Sequence, residues 1–98
     1  MTDTAASNGP TTASADRLPA LRRLFRLQWE DVQQNYVLLY PEGMVKLNHS
    51  AAEILKRCDG VRDVAGIVAD LEATFSAQDL HDDVDDFLRE ARSLNWIN

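Results

Sequence analysis

The chain has 98 residues, enough for one domain, and a chain of that size buries roughly 60–65% of its unfolded surface in one modest core. Its 45% hydrophobic content is that of a globular protein, and a single cysteine, Cys58, excludes an internal disulfide and fits the cytoplasm as the expected compartment. A net charge of −6 speaks against general nucleic-acid affinity, and no apolar run is long enough for a membrane span or a signal peptide.

Residues 1–16 are rich in Thr, Ser, Ala and Asp and hold no large apolar side chain after Met1. Such a segment buries too little surface to offset the entropy of ordering, so it is expected to be a disordered tail. The folding domain is expected over residues 17–98. Arg17 to Arg23 has apolar anchors but also Pro19, and reads as a short arm on the domain without regular structure.

From Leu24 to Glu30 the residues Phe25, Leu27 and Trp29 alternate with Arg26, Gln28 and Glu30, the period of a half-buried strand. Asp31 to Asn35 is polar apart from Val32 and reads as the connecting loop. Tyr36 to Tyr40 is a continuous apolar run, suited to a central strand covered on both faces. Pro41-Glu42-Gly43 then predicts a hairpin turn, because proline fixes φ near about −65° and glycine accepts positive φ. Met44 to Leu47 returns as a third strand, giving an antiparallel meander with two edges.

Downstream the period changes. Ser50-x-x-Glu53 has the form of a capping box, so a first helix is expected to begin after Ser50. It should end near Cys58, with Gly60 as the left-handed residue that stops it, and Ala51, Ile54, Leu55 and Cys58 share its apolar face. Asp63 is the expected cap of a second helix striped by Val64, Ile67, Val68, Leu71 and Phe75. Gly66 inside it costs about 1 kcal/mol relative to alanine, which close helix packing would explain. Ser76 to Asp79 is a looser capping signal for a third helix with Leu80, Val84, Phe87, Leu88, Ala91 and Leu94 along one stripe. Asn95 stands where that helix must turn left-handed, and Trp96 and Ile97 are expected to fold back on the core. The fold class is therefore α+β, a three-stranded antiparallel sheet followed by three helices, in a winged helix-turn-helix-like arrangement.

Catalytic chemistry finds little support. His49 adjoins Ser50, but adjacent residues at a helix start do not face each other, and the serine is assigned to the cap. Cys58 lies on an apolar face, where a buried thiol far from a cation is inert. His81 and Asp85 have a spacing that puts two ligands on one helix face, yet no third ligand completes a metal site. Asp79, Asp82, Asp83, Asp85 and Asp86 suit the positive end of a helix dipole, and Arg17, Arg22, Arg23 and Arg26 read as solvated charges or their partners. No glycine-rich phosphate loop occurs. No catalytic residue, no metal and no cofactor are expected.

Binding is left. A winged-helix domain that put its third helix into DNA would present Asp79, Asp82, Asp83, Asp85, Asp86 and Glu90 to phosphates, so charge alone speaks against nucleic acid as the ligand. A free third strand instead offers unpaired backbone groups to an incoming extended peptide. Met44, Val45, Lys46 and Leu47 are the expected strand side of such a site, and Val84 and Phe87 the expected helix wall. A structural homodimer paired through sheet edges is the alternative.

Leu39-Tyr40-Pro41-Glu42-Gly43, Leu47-Asn48-x-Ser50-Ala51-x-x-Ile54-Leu55 and Cys58-Asp59-Gly60, in that order and spacing, resemble the pyrroloquinoline quinone biosynthesis protein D family. The resemblance runs from about Leu24 to Ile97; the family usually has glycine where this chain has Asn95, a conservative departure. It implies a peptide chaperone, not an enzyme, that binds a ribosomally made precursor peptide between the third strand and third helix. It also implies a partner, a radical S-adenosylmethionine enzyme that cross-links the presented peptide.

Overall fold

The computed structural model describes residues 18–98, so the expected tail at 1–16 lies outside the described residues. Strands β1 (Arg26–Glu30), β2 (Asn35–Tyr40) and β3 (Gly43–Lys46) form one antiparallel sheet in sequence order, with β2 central. The register sets Leu27 opposite Leu38 and Leu38 opposite Val45, so these three share the face that meets the helices. Val37 and Leu38 are both buried although they point to opposite faces, which is why β2 reads as an unbroken apolar run.

Four strand boundaries differ from expectation: β1 starts two residues later, β2 takes in Asn35 from the expected loop, and β3 both starts and ends one residue earlier. β1 starts at Arg26 because the Phe25 amide bonds back to the Arg22 carbonyl (3.0 Å), and that turn leaves Leu24 70% exposed. β3 starts at Gly43 because Pro41 and Glu42 alone make the turn, and Tyr40 pairs with Gly43. Leu47 lies just beyond the strand, yet its N–H still donates to the Tyr36 carbonyl (3.1 Å).

Helices α1 (His49–Lys56), α2 (Val64–Phe75) and α3 (His81–Ser93) follow. The Ser50–Glu53 capping box does not form. Asn48 caps α1 instead, its Oδ1 accepting from the Ala51 amide at 2.8 Å, because the Leu47–Tyr36 bond keeps the chain extended only up to that residue. Glu53 faces the other way and pairs with Lys56 and Arg57. Gly60 is left-handed (φ 79°) but does not stop α1, which closes at Arg57. It belongs to the turn in which Asp59 Oδ1 accepts from the Val61 amide.

Asp63 caps α2 as expected, accepting from the Gly66 amide at 2.8 Å. That bond also accounts for Gly66: an added Cβ would stand 3.2 Å from the capping carboxylate oxygen, so the glycine serves the cap and not helix packing. Ser76 to Asp79 do not cap α3. Ser76 is the left-handed C-cap of α2, and Leu80 opens α3 without a side-chain cap, its amide donating to Glu72 Oε2 (3.0 Å). At the far end Asn95 is left-handed (φ 65°), the Trp96 amide donates to the Ala91 carbonyl and the Asn95 amide to that of Arg92. These are the two bonds of a Schellman motif.

The core joins Leu38 of the sheet to Leu55, Ile67, Leu88 and Ile97, all essentially inaccessible. Removing such a side chain to alanine costs about 2–5 kcal/mol. Ile97 folds back as expected and bridges to Leu21, while Asn98 Nδ2 donates to the Leu18 carbonyl (2.9 Å) and the Asn98 amide to that of Ala20 (3.1 Å). Arg57 clamps α1 to α2 through Glu53 and Asp70. The α+β class and the order of three strands then three helices match the sequence reading; the narrower winged-helix label is not established by them. No helix among the described residues is long and apolar enough to cross a membrane.

Candidate functional site: a cleft between β3 and α3

Among the described residues, β3 pairs on one side only, with β2. Antiparallel pairs alternate between residues that exchange hydrogen bonds and residues that do not. The bond from Leu47 to Tyr36 fixes the phase of that alternation. Val45 and Leu47 therefore turn their amides inward, whereas Met44 and Lys46 present N–H and C=O groups to the open edge.

Beside that edge lies a cleft of about 450 Å³. Val45, Lys46 and Leu47 line its strand side, the first turns of α1 from Asn48 to Ile54 form its floor, and Asp83, Phe87 and Glu90 of α3 form the opposite wall with Trp96. Asp83, Phe87 and Glu90 follow one another at four- and three-residue steps, so they lie on one helix face. The Phe87 and Trp96 rings stand 6.4 Å apart, giving the wall an aromatic end.

Of the residues singled out from sequence, Val45, Lys46, Leu47 and Phe87 come together around this cleft. Met44 is 51% exposed and does not line it; by alternation its side chain lies on the other face of the sheet. Val84 is 2% exposed, belongs to the core, and lines a neighbouring cavity and not this cleft. The sequence reading missed Trp96, Asp83 and Glu90. The signal for the last two was their spacing from Phe87, and for Trp96 its place just after the left-handed Asn95.

Several titratable groups of the domain are engaged in structure. Burial works to raise the pKa of Glu53, but hydrogen bonds from Arg57 and Lys56, with their charges, hold the carboxyl below its ordinary value. Cys58 is buried with its Sγ 3.4 Å from the Ile54 carbonyl oxygen, and burial pushes its thiol up to about 12, with Asp59 adding to the shift. His49 sits edge-on to Phe75 (ring centroids 5.6 Å apart). His81 is exposed beside Asp82, and Asp85 is held by Arg89 at 2.6 Å. No group of three or more metal-ligating side chains converges among the described residues.

Known proteins resemble the chain closely. "PqqA binding protein" of Azotobacter vinelandii is 56% identical over 81 residues, covering 82% of this chain and 88% of that protein. Its namesake in Kluyvera intermedia is 52% identical over the same shares of both chains. The solution structure of the PqqD portion of Methylobacterium extorquens PqqCD is 29% identical, with a TM-score of 0.65 over 83% of this chain and 88% of that one. That protein is described as a functional, stand-alone recognition element for ribosomally synthesised and post-translationally modified peptides. The profile of coenzyme PQQ synthesis protein D matches residues 35–97, most of the described chain, and with relatives at this identity the chain belongs to the PqqD family.

Proposed function

We propose that this protein binds the PqqA precursor peptide as an added strand along the open edge of β3, with α3 as the facing wall, and presents it in the cytoplasm to a radical S-adenosylmethionine enzyme. The observation that carries the reading is the cleft itself: unpaired backbone groups at Met44 and Lys46 beside an apolar wall containing Phe87 and Trp96. Strand addition draws affinity from main-chain bonds and specificity from side-chain pockets, and the cleft offers both. The names of the relatives, which are those of peptide-binding proteins, support the identity of the ligand. An acidic α3 with Asp82, Asp83, Asp85, Asp86 and Glu90 disfavours a nucleic-acid partner on the same face.

The test is an NMR titration of the labelled protein with synthetic PqqA. Amide shifts are expected in residues 44–47 and along the Asp83, Phe87 and Glu90 face of α3. Shifts confined to β1 would place the peptide on the wrong edge, and none at millimolar peptide would remove the function. Sedimentation at several concentrations, with and without peptide, checks the competing homodimer: β3 edges that pair with each other would give a dimer that peptide dissociates.

A further inference from the structure

A second cavity opens at the N-terminal end of α3, between α1 and the last turn of α2. It holds about 230 Å³ and is mostly apolar, with Ile54 and Leu71 at its base and Phe75, Leu80 and Val84 as walls. Ser50, Ile54 and Asp83 line both this cavity and the β3–α3 cleft, so the two lie side by side along α3. Phe75 remains 45% exposed at the mouth of the cavity, with the His49 ring edge-on to it and the Arg57 guanidinium 6.0 Å from its ring centroid.

The rim carries charge of both signs, with Arg57 over the Phe75 ring and His49 also on the rim. Two carboxylates reach the rim, and Glu53 is committed to Lys56 and Arg57. Asp83 is exposed and makes no ion pair with the described residues. A four-residue strand edge held through backbone bonds reads little sequence by itself. The cavity is of a size for one side chain and too small for a second strand or a helix.

Resting on the proposed peptide-docking role, we infer that the bound peptide continues past Leu47, seats one apolar side chain in this cavity, and sets a neighbouring lysine or arginine against Asp83. The cavity then selects the peptide, and Asp83 is a specificity-determining residue. A matched pair of apolar and cationic residues outside the strand-adding segment is the recognition signal.

Calorimetry and NMR with synthetic PqqA and its single-alanine variants test this. Leu80→Trp, which fills the cavity, should weaken binding about tenfold or more, and Phe75→Ala, at an exposed position, should weaken it in the same direction. One apolar residue of the peptide should lose as much on replacement by alanine, and that loss should vanish in the Leu80→Trp protein. Asp83→Asn should lower affinity and flatten its dependence on salt. If Leu80→Trp fails to fold, Phe75→Ala with the peptide scan decides. Unchanged affinity in Phe75→Ala and Asp83→Asn, with shifts still present at residues 44–47, overturns the inference and leaves the docking edge standing. Absence of any PqqA binding by the unmodified protein overturns both.

Discussion

Cys58 lies just past the C-cap of α1, buried, with a thiol whose pKa is pushed up to about 12. Almost no thiolate exists at neutral pH, so the group has neither the charge nor the access that a nucleophile needs. Thiol reagents should label the native protein only as fast as it opens, and label the urea-unfolded protein at once; rapid native labelling would show an accessible, activated cysteine. Glu53 supplies the complementary case. Its folded pKa is below the ordinary 4.5, so its pairing with Arg57 and Lys56 adds stability above that value and loses it as pH falls through the lowered one. Glu53→Gln should therefore lower the thermal midpoint at neutral pH and lose that effect as pH falls through the lowered folded pKa. Equal losses above and below that pKa would mean that packing, not charge, holds the side chain.

At the scale of elements, β3 gives the sharpest contrast. Lys46→Pro removes an amide that faces the open edge, where an edge strand tolerates proline, so stability should change little while PqqA affinity falls about tenfold. Val45→Pro removes an amide that faces β2 and orphans the carbonyl of buried Leu38, which should cost about 1–3 kcal/mol of stability. Urea denaturation and peptide titration of both variants check the pair; equal behaviour would contradict the deduced phase of the ladder. Much of this scale was legible in the sequence because the signals were local. Asp63 and Asn95 act through their own backbone neighbours and do what they were expected to do, and the expected hairpin turn forms too, but from Pro41 and Glu42 with Gly43 already in the strand. The capping of α1 was misread because Asn48 and Ser50 are both competent caps. The choice between them is made by a non-local bond from Leu47 to Tyr36.

For the whole molecule, residues 1–16 hold no large apolar side chain after Met1, the composition expected of a dispensable segment. Their deletion should leave both the thermal midpoint and PqqA affinity unchanged, and a clear loss of affinity would make them part of the site. Tertiary surroundings also explain what periodicity could not deliver about the cleft. The stripe on α3 shows that Val84 and Phe87 share a side of the helix, but only the placement of the other elements buries Val84 and leaves Phe87 on a wall with Trp96. The second cavity draws its lining from three helices and the turn between two of them, so no single stretch announces it.

The bonds between Leu18 and Asn98, between Ala20 and Asn98, and between Arg22 and Trp96 nearly close the domain into a ring. In a ring no element is first. A short linker from residue 98 back to residue 18, with the chain cut instead in the exposed turn Asp31–Gln34, would place β2, β3 and all three helices ahead of β1 in the reading order. Every pairing described above would be retained. The sheet-then-helix sequence of this protein is thus one of several equivalent ways to write the same fold.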